Sequence, residues 1–310
     1  MELSDRQKSI LKVISHFDCL DYPLTLLEIR RWLEVAAEWG DAGQAIDGLL
    51  TGRVIESHNG LYFIAGRQQL VELRLSRYIL AGKKLARARR VCWWLKFFPW
   101  VRAIAVYSSL SYFNSAKDGD IDLFVIAETG RLWSCRFFVN IFLKLFRLRP
   151  TANISRDKIC LSLMSTTDSL DHSWLLVDSD DFYYTYGTGQ FIFLYAENGI
   201  DREFFAANDW IGGRLPNWQS IIIGGGLRLR QQFPWVKKIR EKFFGMISEK
   251  SYRVWQWKIL PQIYKDLNNQ DGRVVMSGRI IKTHDNDKRE KFNRLFAENY
   301  EKFMRQTHES

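Results

Sequence analysis

Cysteine is sparse in this 310-residue chain, and no two of the four (Cys19, Cys92, Cys135, Cys160) have metal-ligand or redox spacing. A disulfide framework and a zinc knuckle are therefore not legible, and the thiols are expected to be reduced and mostly buried in a cytoplasmic protein. Long apolar runs are missing too. The longest uncharged stretch, Phe182 to Ala196, is 15 residues and includes Thr, Gly and Gln, too short and polar to span a bilayer. The opening "MELSDRQKSILKVISHF" is charged and amphipathic, unlike a secretory leader. Ser-His-Asp, P-loop, repeat and low-complexity signatures are all absent.

What is present is a globular composition, 46% hydrophobic and 26% charged, rich in large rings (12 Trp, 12 Tyr, 21 Phe). The net charge of +10 is unevenly spread. Residues 67–98 hold nine Lys/Arg against one acid, and residues 224–265 hold ten against two. Each window carries +8, leaving −6 for the remainder. Two basic segments around a mildly acidic middle suit a polyanionic partner such as a nucleotide, a nucleic acid or an anionic surface; solvated helix faces would give the same counts.

The first 66 residues predict three helices closed by a hairpin, the pattern of a winged helix. Ile10, Leu11, Ile14 and Phe17 recur at helical spacing, and Thr25 with Glu28 forms a capping-box start. Asn59-Gly60 predicts a two-residue hairpin turn. The third helix, "DAGQAIDGLLTGR", carries two aspartates and only a terminal Arg53, which favours protein contact or scaffolding over DNA reading. A basic connecting helix is expected over 67–98. An α/β core follows over 99–175, with strands at "VRAIAVY", "IDLFVIA" and "KICLSLM" and a helix after Gly130. Residues 176–310 are expected to be mainly helical, broken at "NDWIGGRLPNW" and "SIIIGGG", with a last helix from about Asp287 to Met304.

The chemistry centres on "YSSLSYFNSAKDGDIDLF". On a strand, Asp120 and Asp122 point one way while Ile121 and Leu123 point into the core. Two carboxylates about 7 Å apart on one face repel unless a cation lies between them. Mg²⁺ takes hard oxygen ligands, one or two carboxylates plus substrate phosphates, as in two-metal phosphoryl and nucleotidyl transfer. Upstream, Ser108 and Ser109 form a small-residue turn able to hold a phosphate tail. Lys117 and Arg131 are candidate phosphate contacts. His284, beside Asp285 and Asp287, reads as a loop that caps the last helix.

At these residues the sequence resembles the polymerase-β-type nucleotidyltransferase superfamily, whose signature is Gly-Ser after the first strand and Asp-x-Asp on the next. The wider order resembles an uncharacterised prokaryotic family in which a winged-helix unit precedes this domain, through "FDCLDYPLT", "GLYFIAGRQQLVELR", "GDIDLFVIAETGRLW", "DKICLSLM" and "NDWIGGRLPNW". The resemblance implies an α/β (α+β) fold with a mixed sheet flanked by helices. Asp120 and Asp122 would be catalytic and hold Mg²⁺ (two ions possible). Ser108, Ser109 and Lys117 would bind an NTP, whose nucleoside monophosphate moves to an unidentified acceptor, a nucleic acid or a protein among them.

Two departures stand out: Ser108 replaces the turn glycine, and Phe113 or Asn114 replaces a later one. A third carboxylate, expected on the following strand, has only Asp157 as a candidate. These departures keep two alternatives open, a nucleotide-binding or regulatory protein without turnover and a winged-helix nucleic-acid binder.

Overall fold

In the computed structural model, residues 3–151, 153–221, 226–231, 233–284 and 287–309 are described. The expected glycine break at 222–225 and Asp285 lie outside them. The N-terminal unit is α1 (Asp5–Asp18), β1 (Leu24–Thr25), α2 (Leu26–Arg31), α3 (Trp39–Thr51), β2 (Ile55–His58) and β3 (Leu61–Ile64). Its strands pair antiparallel in the order β1-β3-β2. Local chemistry sets its ends. Ser4 and Gln7 box the start of α1, and Thr25 and Glu28 box that of α2. Asn59 and Gly60 both take positive φ (53° and 74°), as a tight hairpin turn between right-twisted strands demands.

α4 (Gln69–Leu95) then leads to the main sheet. Its elements are β4 (Val101–Val106), β5 (Ile121–Ala127), α5 (Leu132–Leu145), β6 (Ile159–Thr166), α6 (Phe182–Gly189) and β7 (Ile192–Ala196). α7 (Ile200–Ala207), α8 (Trp210–Arg214), α9 (Pro234–Phe244), α10 (Glu249–Ile259) and α11 (Gln262–Asp266) follow. β8 (Val274–Met276), β9 (Ile280–Thr283) and α12 (Arg289–Glu309) complete the chain's elements. Six strands run in the order β7-β4-β5-β6-β9-β8. Only β5 and β6 are parallel, joined through α5; every other neighbour is antiparallel. The fold is mixed α/β, as expected.

The boundaries drawn from sequence need correction. The region after 175 is rich in helix, yet it supplies β7, β8 and β9, half of the main sheet. "FIFLYA" is apolar throughout because β7 is buried on both faces, and periodicity cannot tell such a run from a buried helix. The N-terminal unit is not separate either. Its core, around Phe17, Trp32 and Leu49, takes in Phe182 and Tyr186 of α6, Ile211 of α8 and Phe296 of α12.

The basic character of α4 also reads differently in three dimensions. Six of the nine basic residues counted over 67–98 are bound internally: Arg67 to Asp18 and Asp21, Arg74 to Glu28, and Arg77 to Asp21 and Asn114. Lys84 reaches Asp157, Arg89 the Leu227 carbonyl and Lys96 the Arg230 carbonyl. The segment fastens the winged unit and the C-terminal chain to the core; it is not chiefly a free polyanion surface.

Candidate active site

One face of the main sheet is packed by Leu85, Leu132, Val139 and Tyr252 over Val106, Ile121, Leu123 and Leu161. The other is packed by Leu170, Leu175, Phe204 and Phe205 over Ala105, Phe124 and Leu163. Ile121 and Leu123 are fully buried in the first layer, so Asp120 and Asp122 turn toward the second, as alternation requires. There the second layer stops short, and the carboxylates lie half-buried at the sheet's end.

Three strands converge at that end. β4 runs antiparallel to β5, and the Tyr107 amide donates to the Asp122 carbonyl at 3.3 Å. β6 runs parallel and sets Cys160 directly beside Asp122. The Asp120, Asp122 and Cys160 ligand atoms all lie within 4.8 Å of one another. Between Asp122 and Phe124 the β5–β6 register slips by one residue, a bulge that re-aims the strand beside the site.

Ser108 follows β4 in a single 3₁₀ turn, Ser108–Leu110, with φ +60°. That is the left-handed conformation glycine adopts freely and other residues adopt at a cost of about 1–2 kcal/mol. The Ser108 side chain acts on the neighbouring Asp122 carboxyl in the direction that favours its charged form. Phe113, named from sequence as a second glycine replacement, also has positive φ (56°) and is held by stacking on Tyr78. Both positions are therefore places where the backbone asks for glycine.

Burial, followed by the charge of Asp120, pushes the Asp122 carboxyl up to about 7, with the Ser108 and Cys160 side chains acting in the opposite direction. Burial and the two aspartates push the Cys160 thiol up to about 12, so it stays protonated near neutrality. A divalent ion would relieve the repulsion between the carboxylates. The donor set fits a hard cation through Asp120 and Asp122 with phosphate oxygens completing the shell. Cys160 joins only for an ion soft enough to displace its proton.

The other sequence candidates separate. Ser109 is exposed beside Ser108, and its carbonyl accepts from the Asn114 amide at 2.9 Å. Lys117 is exposed in the loop before β5. Arg131 lies over the Trp100 ring at 5.1 Å, away from a phosphate role. Asp157 is not brought to the carboxylates. It pairs with Lys84 at 3.1 Å, because its place before β6 sets it against α4. Lys84 itself is only 3% exposed and also hydrogen-bonds the Gly119 carbonyl, so α4 pins the loop that delivers Asp120.

Sequence reading missed Cys160 and a polar cluster beside it. The Tyr107 hydroxyl meets Ser162 Oγ at 2.6 Å and His284 Nε2 at 3.0 Å, and His284 Nε2 meets Ser162 Oγ at 2.8 Å. Burial, then the charges of Asp122 and Cys160, raise the Tyr107 phenol well above its usual value, so it remains a neutral donor or acceptor. Strand alternation in "KICLSLM" was the available signal for Cys160 and Ser162, since both stand on the Asp122 side. No local signal existed for His284, which arrives through the β6–β9 pairing. The expected capping role falls to Asp287, whose Oδ1 accepts from the Arg289 amide at 3.1 Å. No protein-family model, no curated protein and no solved structure matches this chain.

Proposed function

We propose that this protein is a metal-dependent nucleotidyltransferase that moves a nucleoside monophosphate from an NTP to an acceptor hydroxyl and releases pyrophosphate. One observation carries the reading: Asp120 and Asp122 share a half-buried face at the sheet's end, with the positive-φ Ser108 turn following the neighbouring strand β4. Asp120 and Asp122 would hold Mg²⁺, which when bound neutralises charge developing on the transferred phosphoryl group. Ser108 and Ser109 would line the position of the triphosphate. Lys84 holds the Gly119 carbonyl and so sets where Asp120 stands. Tyr107, Ser162 and His284 form a hydrogen-bonded wall beside the carboxylates, able to orient an acceptor group.

A second reading, nucleotide binding without turnover, is favoured by Cys160 standing where a third carboxylate is wanted and by the Lys84 pairing of Asp157. Calorimetric titration of Mg²⁺–NTP into wild type and Asp120→Asn/Asp122→Asn tests the site. Metal-dependent binding lost in the variant is expected, and equal binding by both proteins refutes it. Binding without pyrophosphate release across nucleic-acid and protein acceptors selects the second reading.

A further inference from the structure

α9 is amphipathic with its faces reversed. Two of its five charged side chains point inward: Lys237, 5% exposed, binds the Glu197 carboxylate and the Val101 carbonyl. Glu241 accepts from the Trp100 amide and the Arg102 guanidinium, each at 2.8 Å. Its apolar side chains point outward at spacings of four: Trp235 (61% exposed), Ile239 (61%) and Phe243 (66%). Phe233 (59%) and Met246 (83%) extend the stripe at either end. A surface helix ordinarily does the opposite, hiding this stripe and showing its charges. Isolated exposed apolar residues are normal, but three along one helix, continued by one just beyond each end, mark an interaction surface.

The margins say which partner. By helical position, exposed Lys238 and Lys242 border the stripe on one side and exposed Arg240 on the other. The surrounding segment 224–265 carries ten basic residues against two acids. A second copy of this chain would set Lys238, Arg240 and Lys242 against the same three cations, which disfavours self-association through this face. A nucleic acid would use the lysines but leave Ile239 and Met246 against water. An anionic bilayer satisfies both halves, with acyl chains for the stripe and head groups for the lysines. Among the described residues, no helix is long and apolar enough to cross a membrane, so the contact would be peripheral.

We propose that α9 docks this protein on an anionic lipid surface, its Trp235–Ile239–Phe243 stripe entering the acyl boundary and its flanking basic side chains meeting the head groups. This contact is independent of the nucleotidyltransferase reading. The 310-residue protein is sedimented with phosphatidylcholine vesicles, with and without phosphatidylglycerol, alongside Trp235→Ser/Phe243→Ser and Lys238→Gln/Lys242→Gln. Wild type is expected to pellet with the anionic vesicles, and the aromatic variant to bind about tenfold more weakly. The lysine variant should lose most of its response to phosphatidylglycerol. All four positions are exposed, so melting temperatures should match wild type and separate docking from folding. Wild type remaining in the supernatant with anionic vesicles, or an aromatic variant that binds equally, overturns the proposal. So does concentration-dependent self-association abolished by Trp235→Ser/Phe243→Ser without vesicle binding, which would assign the stripe to a second copy.

Discussion

Replacing Asp122 by Asn removes one negative charge from a site that already holds another, and the metal-free protein should become more stable. Unfolded, this carboxyl titrates near 3.8; folded, it keeps its proton to about 7. Between those values the folded chain binds a proton that the unfolded chain has released, so stability falls as pH rises. The whole window is worth at most about 4 kcal/mol, and the partial exposure of the carboxylate reduces it to about 2–3 kcal/mol. Asn has the same shape and has no such titration. An unfolding entropy of about 2 cal/mol/K per residue converts the gain to about 3–5 °C for a chain of this length. Thermal melts in EDTA should therefore place Asp122→Asn about 3–5 °C above wild type near pH 8. The gap should close as pH falls toward the unfolded pKa. Added Mg²⁺ or Mn²⁺ should raise wild type and leave the variant unmoved. A variant that melts at or below wild type near pH 8, or a gap that does not close with acid, refutes the electrostatic account of the pair.

Three further substitutions probe the same scaffold. Cys160→Asp should lower the melting temperature in EDTA by crowding a third carboxylate, yet tighten Mg²⁺ binding roughly tenfold by calorimetry; wild type should bind Cd²⁺ with a thiolate charge-transfer band that this variant lacks. Lys84→Met should cost about 1–2 kcal/mol in urea unfolding, from the freed Gly119 carbonyl and Asp157, and should weaken Mg²⁺ binding without touching a ligand. Gly60→Val should destabilise the winged unit by about 1–2 kcal/mol in the same assay, because φ +74° is strained for a branched side chain.

Where the information was local, the sequence carried it. The capping box at Thr25, the Asn59-Gly60 turn, the alternation through "IDLFVIA" and the helix after Gly130 each appear where the residues place them. Ser108 and Phe113, read as glycine replacements, do sit at positive φ. What was not legible depends on pairing across long separations. β7 is a short apolar run with no period to read, and β8 and β9 join the sheet more than a hundred residues after β6 begins. Lys84 looked like one more surface charge until α4 packed it against the loop of Asp120, and His284 looked like a capping loop until β9 paired with β6. Asp157 was the nearest carboxylate in sequence, but β6 brings Cys160 to the aspartates in its place.

The central claim is that Asp120 and Asp122 hold a metal ion for transfer of a nucleoside monophosphate. Its most direct measurement incubates the protein with α-labelled NTPs, Mg²⁺ or Mn²⁺ and a set of hydroxyl-bearing acceptors, and follows label and pyrophosphate together. The account predicts labelled acceptor and pyrophosphate in equal amounts, abolished by EDTA and by Asp120→Asn/Asp122→Asn. NTP binding that needs no divalent metal, or label transfer that survives in the double variant, would contradict it.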